Sequence, residues 1–397
     1  FHRLFAFYYS QTNIGEVKRN IKRSYALIAV ILSCTVVFLY SASILTKIPT
    51  ELATIAAISA VTISLHRVSY VIMYALKKLV HIGISYGIAF VILAGVFFLS
   101  SVVIPDITTR YFAALGSGFV ILAGFAAFNH YKILRKSSTS IVAKNAPHFY
   151  SPLTINDNTI ESRFGVQLWE CIPYFMYGTF FFVLLFADRV VSWFFNPVTI
   201  AASNGTTLPL AFNSIYHIGA DPALLVILPV AVVQYVMTSP IYALVHNRAI
   251  TLKVSESKKI DWFLKYSYQK LMVSSIAISI TGVVILNFLA PYLVGVLGGS
   301  ELSLRILAFS SIGVVFLSML TANGIFMIFL GKAKALAAAS FVAAVIAVAG
   351  GMILAQYGFE NAVIAYLGAT AFAAAATTIL MGKAIRKAGS LLFSRYI

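Results

Sequence analysis

Of the 397 residues, 60% are hydrophobic and only 10% charged, a mixture that would precipitate as a soluble globule and suits a chain solvated by lipid. The formal charge of +17 does not mark a nucleic-acid binder, because nearly all the basic residues fall between hydrophobic runs, where membrane topology accounts for them. Cys34 and Cys171 lie far apart inside apolar segments, with neither metal-ligand spacing nor a disulfide framework.

The chain begins at Phe1 without a charged-then-apolar leader, as an internal point of a longer protein would. Residues 1–23 form a basic arm: Phe1, Leu4, Phe5, Phe7 and Tyr8 resemble the end of an earlier span, and Lys18, Arg19, Lys22 and Arg23 the loop after it. Ten apolar runs then have the length of about 20 residues that a helix needs to cross hydrocarbon. They are Ser24 to Thr46, Leu52 to Leu76, Ile82 to Ile104, Tyr111 to Leu134, Val166 to Asp188, Ala223 to Val245, Leu271 to Leu297, Leu302 to Leu330, Ala335 to Ala355 and Ala362 to Met381. Backbone groups in lipid must pair within their own segment, so helices are the expected form and the fold class is all-α.

Of the 29 Lys and Arg, only Lys47, Arg110, Arg189 and Arg305 fall on one side of the membrane and Arg67 within a span. The positive-inside rule makes the other, basic side cytoplasmic, with the C-terminus there, and the expected location is the cell membrane. The connection from Arg135 to Arg163 is rich in Ser, Asn and Lys, as a linker between bundles would be. The expected organisation is therefore a four-span bundle over 24–134, a cytoplasmic linker over 135–165, a six-span bundle over 166–384 and a basic tail over 385–397. A long outer connection runs from Arg189 to Pro222 and carries Asn204-Gly205-Thr206, a glycosylation pattern short enough to arise by chance.

Charges inside a bilayer cost about 2.5 to 3.5 kcal/mol each on insertion scales, so they mark bundle interiors or aqueous cavities. Arg67, beside His66 and near the middle of the second span, is the sharpest candidate for a cavity cation that attracts phosphate or carboxylate, against the alternative of snorkelling. In the fifth span Glu170 lies at the cytoplasmic end and Asp188 with Arg189 at the outer end, as substrate contacts or simply as helix ends among headgroups. His66 and Gln234 join the cavity candidates, but interhelical hydrogen bonding explains them, Asn287 and Asn323 at least as well. Pro229 and Pro240 are expected to kink the sixth span. Gly116, Gly118 and Gly124 and the alanine-rich final helices read as packing seams. No Gly-Lys-Ser/Thr nucleotide loop, His-Glu-x-x-His pair or acidic loop cluster occurs, so no catalytic residue, metal or cofactor is expected and the chain is not read as an enzyme.

Three stretches carry a family resemblance: Leu286 to Gly299, with its Ala290-Pro291 pair and Gly298-Gly299 turn; Leu304-Arg305-Ile306-Leu307; and Ala355 to Tyr366, with its Tyr357-Gly358 turn. They resemble the superfamily of multidrug exporters, oligosaccharide-lipid flippases and polysaccharide transporters. Within it, Tyr174-Phe175-Met176-Tyr177-Gly178, Phe186-Ala187-Asp188-Arg189 and Trp193-Phe194 are most similar to the Pel exopolysaccharide transporter group. The resemblance implies two bundles of six helices related by a parallel repeat around a cavity that opens alternately to each face. The ten spans would then be the third to twelfth, two helices short of the intact protein.

It also implies a membrane transporter of polysaccharide or lipid-linked oligosaccharide, with membrane lipids, the saccharide substrate and polysaccharide synthase components as partners. A multidrug or cation antiporter on the same fold, which would need a compact acidic site within the spans, and a membrane assembly subunit without a transport cycle are the competing expectations.

Overall fold

The structure, a computed structural model, describes residues 14–46, 164–196, 198–201, 207–248 and 257–386, with short helical stretches between 53 and 131. The chain divides into two compact units, Phe1–Glu161 and Ser162–Ile397. Among the described residues, 7 helices are long and apolar enough to cross a bilayer, which makes this a multi-pass α-helical membrane protein. They coincide with the first and the fifth to tenth expected spans. The spans expected at Leu52 to Leu76, Ile82 to Ile104 and Tyr111 to Leu134 lie largely outside the described residues.

In the first unit, helix α1 (Ile14–Thr46) contains the candidate span Lys22–Ser41. Its Ser33 and Thr35 hydroxyls donate to the carbonyls of Ala29 and Ile31, one turn back, which keeps these polar groups satisfied without water. Tyr40 shares a 2.8 Å hydrogen bond with Thr54. Among the described residues, Gly118 is the one of the three seam glycines with close neighbours. A Cβ there would lie 3.4 Å from Leu93 and 3.6 Å from the Ala89 carbonyl, whereas Gly116 and Gly124 have nothing within 4 Å.

The second unit begins with α2 (Phe164–Phe195), which continues almost two turns past the expected end at Asp188. The long outer connection expected after it is mostly ordered structure. A two-stranded antiparallel ribbon, β1 (Val198–Ala201) and β2 (Thr207–Phe212), pairs Val198 with Phe212 and Ala201 with Thr207, with a bulge between Thr199 and Ile200. The all-α expectation is corrected to this extent: Val, Ile, Thr and Phe flanking a polar tip favour a short hairpin once the chain leaves the membrane. Asn204, between the two strands in sequence, lies outside the described residues.

Asn213 then caps α3 (Ser214–Ala223), its side-chain oxygen accepting from the Tyr216 amide. The sixth span was expected to begin at Ala223, but the hydrophobic helix already starts at Ser214 and passes through a 3-10 turn at Leu224–Val226 into α4 (Ile227–Arg248). Pro229, in the first turn of α4, has no N–H for the carbonyl of Leu225, which lies in that 3-10 turn. Pro240 lies within α4.

Four further long helices follow among the described residues: α5 (Ser257–Val296), α6 (Glu301–Phe329), α7 (Ala333–Leu354) and α8 (Ala362–Ile385). α5 starts 14 residues before the expected Leu271, about 21 Å of extra helix. Its basic first turns keep a helical period, Leu264 and Leu271 being fully buried while Lys265 and Lys270 stay exposed. Gly298 (φ +71°) and Gly331 (φ +68°) end α5 and α6 in the left-handed conformation that a side chain disfavours. Ser300 and Ser303 then form a capping box that starts α6.

α6 is the central helix, packed on α8, α5 and α3, while α7 packs on α2 and α8. Leu184 and Leu185 of α2, Leu317 and Leu320 of α6 and Leu336 of α7 share one core with Ala343, Ala369 and Ala373. With little hydrophobic drive between helices in lipid, these alanines serve by letting backbones approach. Phe288, 85% exposed, has the exposure expected of a side chain that lipid solvates.

Candidate functional site: a buried ion network at the charge-poor end

Asp188 and Arg189 do not end their helix. They lie within α2, 0% and 2% exposed, because the helix runs on to Phe195 and α3 packs across them. Arg189 donates from Nε to Asp221 Oδ1 (2.8 Å), from Nη1 to Asp188 Oδ1 (3.0 Å) and the Leu185 carbonyl (3.0 Å), and from Nη2 to the Ala220 carbonyl (2.8 Å). The planar fork of a guanidinium can serve so many acceptors at once; a lysine could not. Its charge also lies 5.7 Å over the Phe186 ring.

The second Asp188 oxygen accepts from the Tyr216 hydroxyl at 2.8 Å. Asp221, half exposed, is shared between Arg189 and His217 Nδ1. The Trp193 indole N–H can only donate and points at His217 Nε2 (2.8 Å), so the proton of the imidazole sits on Nδ1 and is donated to Asp221 Oδ2 (2.8 Å). One guanidinium thus neutralises a fully buried carboxylate and reaches a second that faces outward. Taking such charges out of water is costly, and the arrangement persists only because every Arg189 donor group has a partner.

A second, uncharged layer lies further along the helices. The Gln234 amide nitrogen is within hydrogen-bond distance of Ser275 Oγ (3.2 Å), the Ser318 carbonyl (2.9 Å) and Thr321 Oγ1 (3.0 Å), tying α4 to α5 and α6. Asn323 accepts from Tyr268 (2.7 Å) and donates to Thr377 and Thr378 (2.9 Å each), tying α6 to α5 and α8. Asn287 donates to Ser311 (2.9 Å). These are interhelical hydrogen bonds of the kind expected for the three amides.

The structure thus brings Asp188 and Arg189 together and places Gln234 in a separate layer. Glu170 lies on the second turn of α2, with its side chain outside the description, and His66 and Arg67 lie outside the described residues altogether. Tyr216, His217 and Asp221 were missed because their segment read as loop. The signal was present as the i, i+4 pair His217 and Asp221, which shares one helix face. No family model matches the chain, and no match was found among curated proteins or solved structures.

Proposed function

We propose that this protein is a membrane transporter that carries polysaccharide or lipid-linked oligosaccharide to the outer face by alternating access. The observation that carries the reading is the buried Arg189 network: it binds α2 to α3 with charge-assisted bonds, while the Gln234 and Asn323 amides tie α4, α5, α6 and α8 together. Helices tied in this way suit a carrier that rocks rigid parts rather than reshaping a bundle. Asp188 already has its counter-ion, so this carboxylate is not a vacant cation site, which weighs against the antiporter alternative. The saccharide class rests on the resemblance of the Leu286 to Gly299 and Ala355 to Tyr366 stretches and on the sequence expectation that Arg67 is a cavity cation.

The test is transport in vesicles by the natural full-length protein. The expected result is movement of lipid-linked oligosaccharide or polymeric glycan, lost at least tenfold in Arg67→Ala. Movement of cationic drugs alone would overturn the saccharide reading, and undiminished glycan transport by Arg67→Ala would remove that residue from the mechanism.

A further inference from the structure

We propose that a groove between α2 and α7, at the basic end of the second unit, holds one acyl chain of an anionic glycerophospholipid whose headgroup phosphate rests on the Lys334 ammonium. The groove encloses about 380 Å³ and is lined by residues of these two helices alone. From α2 come Trp169, Ile172, Met176 and Phe180, successive turns of one face; from α7 come Ala337 and Ala338, whose lack of bulk opens the slot, and Phe341.

Its polarity is ordered along its length. Lys334 is the second residue of α7 and Trp169 lies in the second turn of α2, so cation and indole share the mouth, whereas Phe180 and Phe341 lie deeper. Lys334 to Phe341 spans about 10 Å and Trp169 to Phe180 about 16 Å of helix. One leaflet of hydrocarbon is about 15 Å deep, so the slot has the reach of a single lipid tail.

Lys334 is exposed and, among the described residues, has no ion-pair partner. Trp169 is 73% exposed at the level where amphipathic rings meet headgroups. Pro173, also in the lining, has no N–H for the Trp169 carbonyl one turn earlier, which leaves an acceptor near the mouth for a hydroxyl of a glycerol headgroup. The charge distribution puts this mouth in the cytoplasmic leaflet, where anionic lipid is concentrated and basic pockets between helices bind such headgroups. The proposal does not depend on the transport reading.

The experiment reconstitutes the full chain with brominated phosphatidylglycerol or brominated phosphatidylcholine and follows the fluorescence component that Trp169→Phe removes. Brominated phosphatidylglycerol is expected to quench it at about a fivefold lower mole fraction than phosphatidylcholine, the factor appropriate to one basic residue near the surface. Lys334→Gln should abolish the difference, Lys334→Arg should keep it, and Ala338→Leu, which fills the slot from an exposed position, should weaken quenching by the anionic lipid. Equal quenching by the two lipids, a preference that survives Lys334→Gln, or shielding from both lipids as by a second protein chain would each overturn the proposal.

Discussion

Arg189 lies within a membrane-crossing helix and yet serves 4 acceptors, 2 of them carboxylates. Removing one partner of a buried pair leaves a bare charge, at a cost of about 3 to 5 kcal/mol. Arg189→Met is therefore expected to lower the unfolding midpoint in detergent sharply. Adding Asp188→Asn should recover much of the loss, because the amide oxygen still accepts from Tyr216 and no buried charge remains. A double variant as unstable as the single one would show that Asp188 is not what Arg189 neutralises. At this scale the sequence named Asp188 and Arg189 but not their surroundings. A charged pair at the edge of an apolar run reads as a helix end, and only the continuation of the helix, with Tyr216 and Asp221 folded over it, turns the pair into an interior network.

The contact of α3 with α6 depends on Gly219, where a Cβ would meet the Ser303 carbonyl at 2.5 Å and Ile306 Cβ at 2.8 Å. Gly219→Ala should destabilise by about 1 to 3 kcal/mol through overpacking. Gly295→Ala, in α5 with nothing within 4 Å, should be neutral or stabilising by up to about 1 kcal/mol from helix propensity. Thermal unfolding of both variants checks the contrast, and equal effects would contradict the packing described. Existence of the spans was legible in the sequence, since each described span coincides with an apolar run, whereas the ribbon and α3 were not. The ends of the spans were not legible, because hydropathy marks only the part of a helix that lipid solvates. It misses the charged first turns of α5, the last turns of α2, and α3, whose His217 and Asp221 dilute the apolar signal while packing against protein.

For the molecule as a whole, alternation of charge assigns residues near Trp193, His217 and Gly299 to one side and those near Lys332 to the other. In a background with Cys34 and Cys171 replaced by serine, an impermeant thiol reagent should label Glu301→Cys from outside intact cells and Lys332→Cys only after permeabilisation. Labelling of both from outside would overturn the orientation. The division into two bundles was read from the Ser-, Asn- and Lys-rich connection, whereas two bundles of six around a cavity came from resemblance, because helix periodicity says which face is apolar but not which helix it meets.

The most direct test of the central claim, that the Arg189 network binds a rigid part of a carrier instead of touching cargo, is hydrogen exchange of the reconstituted full-length protein with and without lipid-linked oligosaccharide. The account predicts that amides of 185–195 and 214–223 are protected together, that Arg189→Met releases both sets at once, and that substrate leaves their protection unchanged while altering exchange elsewhere. Substrate-dependent exchange centred on those two segments would contradict it and make the network part of the binding site.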